Sequence, residues 1–194
     1  MNTEYRIGKE QLWSVLEAWD PYMPKKVHLI ACGGTALTIQ DIKPSTKDVD
    51  FLVPVAEEYA ALISTVKKLG YSQVTGSGWS RGERDFIFDF FPGNTVYITE
   101  LLDSPLKKKN HVKIKSFEKL YVGALNDYDL VITKMFRGTS VDIEDCLALI
   151  QSRKGKFDLE KLKNRYKETA DYDVNPKRMM DNLEGLLMRL RKKL

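Results

Sequence analysis

The chain has 194 residues, 43% hydrophobic and 30% charged, with a formal net charge of +4, which is ordinary for a globular protein with length enough for its own core. Two cysteines, Cys32 and Cys146, and two histidines, His28 and His111, are too few for a structural zinc cluster, and no apolar run is long enough to span a bilayer. The opening residues, MNTEYRIGKEQLW, hold no basic segment leading into an apolar one, so no secretory signal is expected and the expected compartment is the cytoplasm.

In chain order, Leu12, Val15, Leu16 and Trp19 recur at three and four, which predicts an amphipathic helix over 8–19, with Trp13 and Trp19 as core. KKVHLIAC reads as a strand, with Cys32 a small buried apolar residue and His28 a satisfied core histidine. Gly33 and Gly34 end that strand, and TALTIQDI reads as a short helix. DVDFLV is the next strand, and 56–69 a helix closed by Gly70. GSGWSRGER, residues 76–84, reads as a turn-rich loop whose Trp79 is either a base-stacking group or a lid anchor. RDFIFDFFPG reads as a strand ended by Pro92 and Gly93, and TVYIT as a further short one. From residue 126 the pattern is helical, over 126–136, 140–152, 158–169 and 175–193, with the methionines of the last helix as packing residues.

Strands alternate with helices in the first half, and the second half is mostly helix. The expected fold is therefore α/β (α+β): a mixed sheet flanked by helices, residues 1–115, with a helical C-terminal region, 116–194, packed on it. The boundary falls in 104–125, where lysines are densest. Residues 1–103 hold 10 Lys and Arg against 14 Asp and Glu, and residues 104–194 hold 21 against 13. An acidic half beside a basic half suits a metal site next to a phosphate-binding surface; PLKKKNHVKIK and RLRKKL read equally well as solvated faces.

Successive side chains of a strand point to opposite faces, so Asp48 and Asp50 face one way and Val49 and Phe51 the other. Two such carboxylates ionise together most easily around a cation, and Mg2+ (or Mn2+) is hard and takes oxygen ligands. Taken alone, the pair also fits an exposed strand edge. Gly33 and Gly34 allow a phosphate close to the backbone, and Thr35 offers a hydroxyl. Asp89, flanked by Phe88 and Phe90, is a carboxylate in the most apolar stretch of the chain and needs a partner. Asp85, four residues earlier on the same strand, reads as a surface charge at the strand's start.

Gly-Gly-Thr ending a strand, Asp-x-Asp on the next and a lone Asp on a later one resemble the nucleotidyltransferase superfamily of the DNA polymerase β type. A tighter resemblance is to its AbiEii-type branch, the toxin-like nucleotidyltransferases of toxin–antitoxin and abortive-infection systems. It is carried by GGTALTIQDIKPSTKDVDFLV, FIFDFFPG and YDLVITKMFRGTSVDIEDCLAL, between residues 33 and 149. One departure is Pro44, where the branch often has arginine, with Lys43 and Lys47 as substitutes. The resemblance implies that Gly33, Gly34 and Thr35 hold the β- and γ-phosphates of an NTP. It implies Asp48, Asp50 and Asp89 as metal ligands, with Asp89 at or near the base that takes the acceptor's proton. Lys134, on the apolar border of its helix, would be a phosphate ligand, with Arg137 beside it; the alternative for Lys134 is a stem covering core. Asp142 matches an acidic position of the motif and equally suits the first turn of a helix capped by Thr139 or Ser140.

The expected activity is transfer of a nucleoside monophosphate to a hydroxyl acceptor. The basic second half favours RNA, such as a tRNA end; an antitoxin partner is implied by resemblance only, and no membrane partner is expected. The other readings are a catalytically silent nucleotide- or RNA-binding module of the same fold, and a small-molecule, antibiotic-type nucleotidyltransferase.

Overall fold

Residues 6–82, 85–153 and 155–193 are described by the computed structural model. The elements are β1 (Ile7–Gly8), α1 (Lys9–Trp19), β2 (Val27–Ala31), α2 (Gly33–Ile39), β3 (Ser45–Thr46), β4 (Val49–Val53), α3 (Ala56–Lys68), β5 (Ser72–Gln73), β6 (Gly78–Ser80), β7 (Phe88–Pro92), β8 (Thr95–Val96), β9 (Thr99–Glu100), β10 (His111–Ser116) and β11 (Leu120–Leu125), then α4 (Asp127–Arg137), α5 (Ser140–Ser152), α6 (Leu159–Ala170) and α7 (Pro176–Lys193). Seven strands form a mixed sheet in the order β10-β11-β2-β4-β7-β6-β5. β11 runs parallel to β2 and β4 parallel to β7, and the other pairings are antiparallel. The α/β class and the helical second half are as the sequence predicts.

β2 and β4 sit in the middle of the sheet, and VHLIA and VDFLV are buried apart from the half-buried His28. A central strand covered on both faces needs such an apolar run. The Nδ1 of His28 lies 3.0 Å from each Glu58 carboxylate oxygen, so this histidine is satisfied as expected. Cys32 and Cys146 are buried and unbridged. Trp19 packs on Phe88 with ring centroids 4.7 Å apart and edge-on to Tyr71 at 5.2 Å, which commits the aromatic side of β7 to the core.

Three stretches differ from expectation. The lysine-rich 104–125 segment holds the β10–β11 hairpin, which joins the sheet alongside β2. Its exposed lysines obscure the strand alternation, and its anchor lies far away in the chain: the buried Asp20 carboxylate accepts the backbone N–H groups of Glu118, Lys119 and Leu120 at 3.2, 2.9 and 2.6 Å. The 76–84 segment is not all loop. Gly78–Ser80 is a strand paired to β7, and Trp79 is buried within it beneath the Lys67 ammonium. Gly78 is suited to this place because a methyl there would come within 2.4 Å of Thr75 Oγ1 and 2.8 Å of Ile87 Cγ2. Glu83 and Arg84, at the end of that segment, lie outside the described residues. Strand β7 starts only at Phe88, so Asp85 precedes it in an exposed bend and does not share a strand face with Asp89.

The helical half is held by terminal chemistry and cross-links. Asn126 caps α4 by accepting the Asp129 N–H at 3.0 Å, and Gly138, with φ +70°, ends it. Tyr166 Oη donates to the Met179 carbonyl and Asn182 Nδ2 to the Met135 carbonyl, both at 2.8 Å, tying α7 to α6 and α4. Met179 is buried, but Met188 is exposed, because it falls on the outer side of α7. Among the described residues no helix is long and apolar enough to cross a membrane.

Candidate active site

β4 and β7 lie side by side in parallel register, with Asp50 opposite Asp89. Register neighbours in a sheet share a face, so both carboxylates emerge on the same side. Phe88 and Phe90, with the opposite parity, turn to the aromatic core. Both carboxylates are largely buried, Asp50 at 5% exposure and Asp89 at 9%.

The start of α2 lies against Asp50. Gly33 and Gly34 form the first turn of this helix rather than a separate turn before it. Gly33 has φ +55°, and a methyl group there would collide with Asp50 Oδ2. A methyl on Gly34 would lie 2.5 Å from Thr46 Oγ1. Only glycine lets the helix start approach the carboxylate this closely. Thr35 turns inward: its hydroxyl accepts the Asp50 N–H at 2.9 Å and donates to the Asp48 carbonyl at 3.2 Å. Thr46 Oγ1 donates to the same carbonyl at 3.0 Å. These bonds hold the Asp48–Asp50 backbone in place, while Asp48 itself is exposed just ahead of β4.

Each buried carboxylate has a hydroxyl donor that the sequence did not reveal. Ser77 Oγ donates to Asp89 Oδ1 at 2.6 Å, and Tyr97 Oη to Asp50 Oδ1 at 2.7 Å. The Ser77 contact arises because β6 and its preceding turn pair with β7. The Tyr97 contact arises because TVYIT is not one strand but two short strands, β8 and β9, hinged at Tyr97-Ile98. Burial raises the Asp50 pKa to about 6; the Tyr97 hydrogen bond opposes that rise, Asp89 and Asp48 add to it, and Lys134 opposes it. Burial likewise raises Asp89, against the Ser77 hydrogen bond and with the help of Asp48. The Asp48 charge thus acts on both buried carboxylates. Among the described residues, however, no three acidic, His or Cys groups are drawn close enough to hold a metal ion as they stand.

Beside this pair lies a charged cluster from α4 and α5. Lys134 is 3% exposed, with its ammonium 2.8 Å from Asp145 Oδ2 and 3.5 Å from Asp142 Oδ1. Lys43 reaches the same Asp145 at 2.8 Å, so the lysine next to Pro44 joins the cluster. Asp142 accepts from Arg137 Nε at 2.8 Å and Nη2 at 2.5 Å, and it completes a capping box with Thr139. Burial pushes the Asp142 pKa up, but the Arg137 and Thr139 hydrogen bonds with the Arg137 and Lys134 charges outweigh it and hold the carboxyl at about 2. Asp142 therefore has its helix-start role and a charge role together. Arg137 remains part exposed, its guanidinium carbon 5.0 Å from the Tyr97 ring centroid. Lys134 does not serve as an outer stem over the core; it is a buried charge neutralised by two carboxylates.

Two buried carboxylates in register on parallel strands lie under a glycine-built helix start and beside Lys134 and Arg137 of α4. Carboxylate oxygens are the ligand type a small divalent cation takes, and glycines let a phosphate approach the backbone. Comparison with known families shows that over residues 10–192 the chain belongs to the family described as "Nucleotidyltransferase of unknown function (DUF6036)", so it is a nucleotidyltransferase. Comparison with curated proteins gives no match. Among solved structures, the chain is similar to the crystal structure of ANT(2'')-Ia in complex with adenylyl-2''-tobramycin, with a TM-score of 0.56 and 14% identity over 84% of this chain and 98% of that one. It is also similar to the solution structure of the antibiotic-resistance factor ANT(2'')-Ia, with the same TM-score and identity over 82% of this chain and 91% of that one. At that identity the likeness speaks for the fold alone.

Proposed function

We propose that this nucleotidyltransferase moves a nucleoside monophosphate from an NTP to a hydroxyl acceptor at Asp48, Asp50 and Asp89, with Mg2+ or Mn2+ as the cofactor these residues hold. The observation that carries this reading is the Asp50–Asp89 register pair beneath Gly33. When bound, the divalent ions supply positive charge to the triphosphate and to the oxygens that attack and leave. Gly33 and Gly34 present helix-start N–H groups, which have no partner within their own helix, to the β- and γ-phosphates. Thr35 keeps the Asp48–Asp50 segment in position under them. Arg137, part exposed, faces the phosphates, with Lys134 and Asp142 setting its place and the local charge. Asp89 takes the proton of the acceptor hydroxyl as the hydroxyl oxygen bonds to the α-phosphorus and pyrophosphate departs.

RNA, such as a tRNA end, is the acceptor favoured by the basic second half. A groove of about 540 Å³ supports it, lined by Lys108, Lys109, Asn110, Arg153 and Lys161 among others. The AbiEii-type motif supports a toxin role with an antitoxin partner in the cytoplasm. A small-molecule acceptor is the second reading. It is favoured by a cleft beside the β8–β9 turn in which, among the described residues, Glu100 and Asp173 outnumber the one cation, Arg178, a surface less suited to RNA than to a small compound.

The test is incubation of the protein with each α-labelled NTP, Mg2+ or Mn2+, and either total RNA or a panel of amino-bearing polyols. Label transfer that disappears in Asp48→Ala and Asp89→Asn supports the enzyme reading. Acceptor binding that weakens steeply with salt points to RNA. Nucleotide binding without transfer to any acceptor would leave a silent binding module instead.

A further inference from the structure

Tyr97 is the first of the two residues that turn β8 into β9, and its φ is +52°. Two-residue hairpins commonly place glycine at such a position, because a Cβ makes positive φ unfavourable. A tyrosine held there is strained, and the strain persists only if its contacts offset it. Those contacts all lie at the candidate active site. The phenol donates to Asp50 Oδ1 at 2.7 Å, and the ring is braced between Phe91, 4.7 Å away, and the Arg137 guanidinium, 5.0 Å away. Arg137 is in turn clamped on Asp142. The residue is still 42% exposed, so it stands at the mouth of the site rather than in the core.

We infer that Tyr97 is a latch on the cation position, a positioning residue that holds Asp50 in the metal-free protein and is displaced when the ion binds. This rests on the metal-dependent reading above. The Tyr97 hydroxyl occupies Asp50 Oδ1, so an ion that takes that oxygen binds against the Tyr97 hydrogen bond. The hydroxyls of Ser77 and Tyr97 each donate to one of the two buried carboxylates on adjacent strands. Release of the phenol uncovers the Arg137 face on which it lies. Cation entry and exposure of a phosphate-facing guanidinium are then one movement of the β8–β9 turn.

The first experiment measures Mn2+ binding without nucleotide, by the electron paramagnetic resonance of free Mn2+, for the full chain and for Tyr97→Phe. Removing the competing hydroxyl is expected to tighten Mn2+ binding about tenfold, equivalent to about 1.4 kcal/mol. In parallel, the chain is labelled with 3-fluorotyrosine. The fluorine resonance absent from Tyr97→Phe identifies Tyr97 in the unsubstituted protein, and it is expected to shift along the Mg2+ binding curve. Equal or weaker Mn2+ binding by Tyr97→Phe overturns the latch, and so does a Tyr97 resonance unmoved at saturating Mg2+. Tyr97→Leu serves the same purpose if the phenylalanine variant does not fold. If the unsubstituted chain binds no Mn2+ that Asp50→Asn abolishes, the metal-dependent reading falls, and the latch with it. Sound metal binding with an indifferent Tyr97 removes the latch alone.

Discussion

Replacing Asp50 by asparagine should make the metal-free protein more stable at neutral pH and leave it unchanged in acid. Asp50 is buried next to Asp89, and its pKa is raised from 3.8 to about 6. A raised carboxyl pKa means the folded state binds the proton more tightly than the unfolded chain does. Ionising Asp50 therefore opposes folding: its effect is absent below the unfolded pKa, grows as pH rises through the window from about 4 to about 6, and is constant above it. A pKa of about 6 in place of 3.8 corresponds to about 3 kcal/mol at pH 7, falling to about 1.5 at pH 5 and about 0.5 at pH 4. Asparagine keeps the shape and an oxygen for the Tyr97 hydroxyl but carries no charge. Urea unfolding of the two proteins in EDTA at pH 7, 5 and 4 should show asparagine ahead by about those amounts. A difference of the same size at all three pH values would mean that the gain comes from packing or hydrogen bonding. A less stable variant at pH 7 would mean that the Asp50 charge is already well compensated. Either result would refute the electrostatic reasoning.

Gly33→Ala should combine a loss of stability of about 2 kcal/mol, from positive φ and the displaced Asp50, with a much larger loss of NTP binding. Denaturant melts and equilibrium nucleotide titration check the two parts, and a variant with normal nucleotide affinity would separate the α2 start from the phosphates. Asp20→Ala leaves three backbone donors of the β10–β11 turn without their carboxylate, which should lower stability by about 3 kcal/mol and speed hydrogen exchange at Glu118, Lys119 and Leu120.

Much of this protein is legible in one dimension because its strongest signals are local. Apolar periodicity marks α1 and the four C-terminal helices, and short apolar runs, broken by His28 and Asp50, mark β2 and β4. Asp89 among phenylalanines is legible as a buried carboxylate because a charge in an apolar strand needs a partner wherever it lies. The β10–β11 hairpin was hidden, since a strand with one solvated, lysine-bearing face looks like a charged linker until it is paired. β6 was hidden by its glycines, which read as flexibility but serve close packing against β7.

The residue types and their order thus determined the candidate groups: the acidic pair, the lone aspartate, the glycine step, and Lys134 with Arg137. Only the tertiary structure decided which groups hold them. Tyr97 and Ser77 reach the carboxylates through the turn of one hairpin and the register of another strand, and Thr35 faces inward because the strand beside α2 offers it a carbonyl and an N–H. Lys134 is buried because α5 brings two aspartates to it, and Lys43 joins from a distant loop. Hydrogen bonds act over about 3 Å of space regardless of separation along the chain. A pattern of residue spacing cannot contain them until the sheet order and the helix packing have brought the partners together.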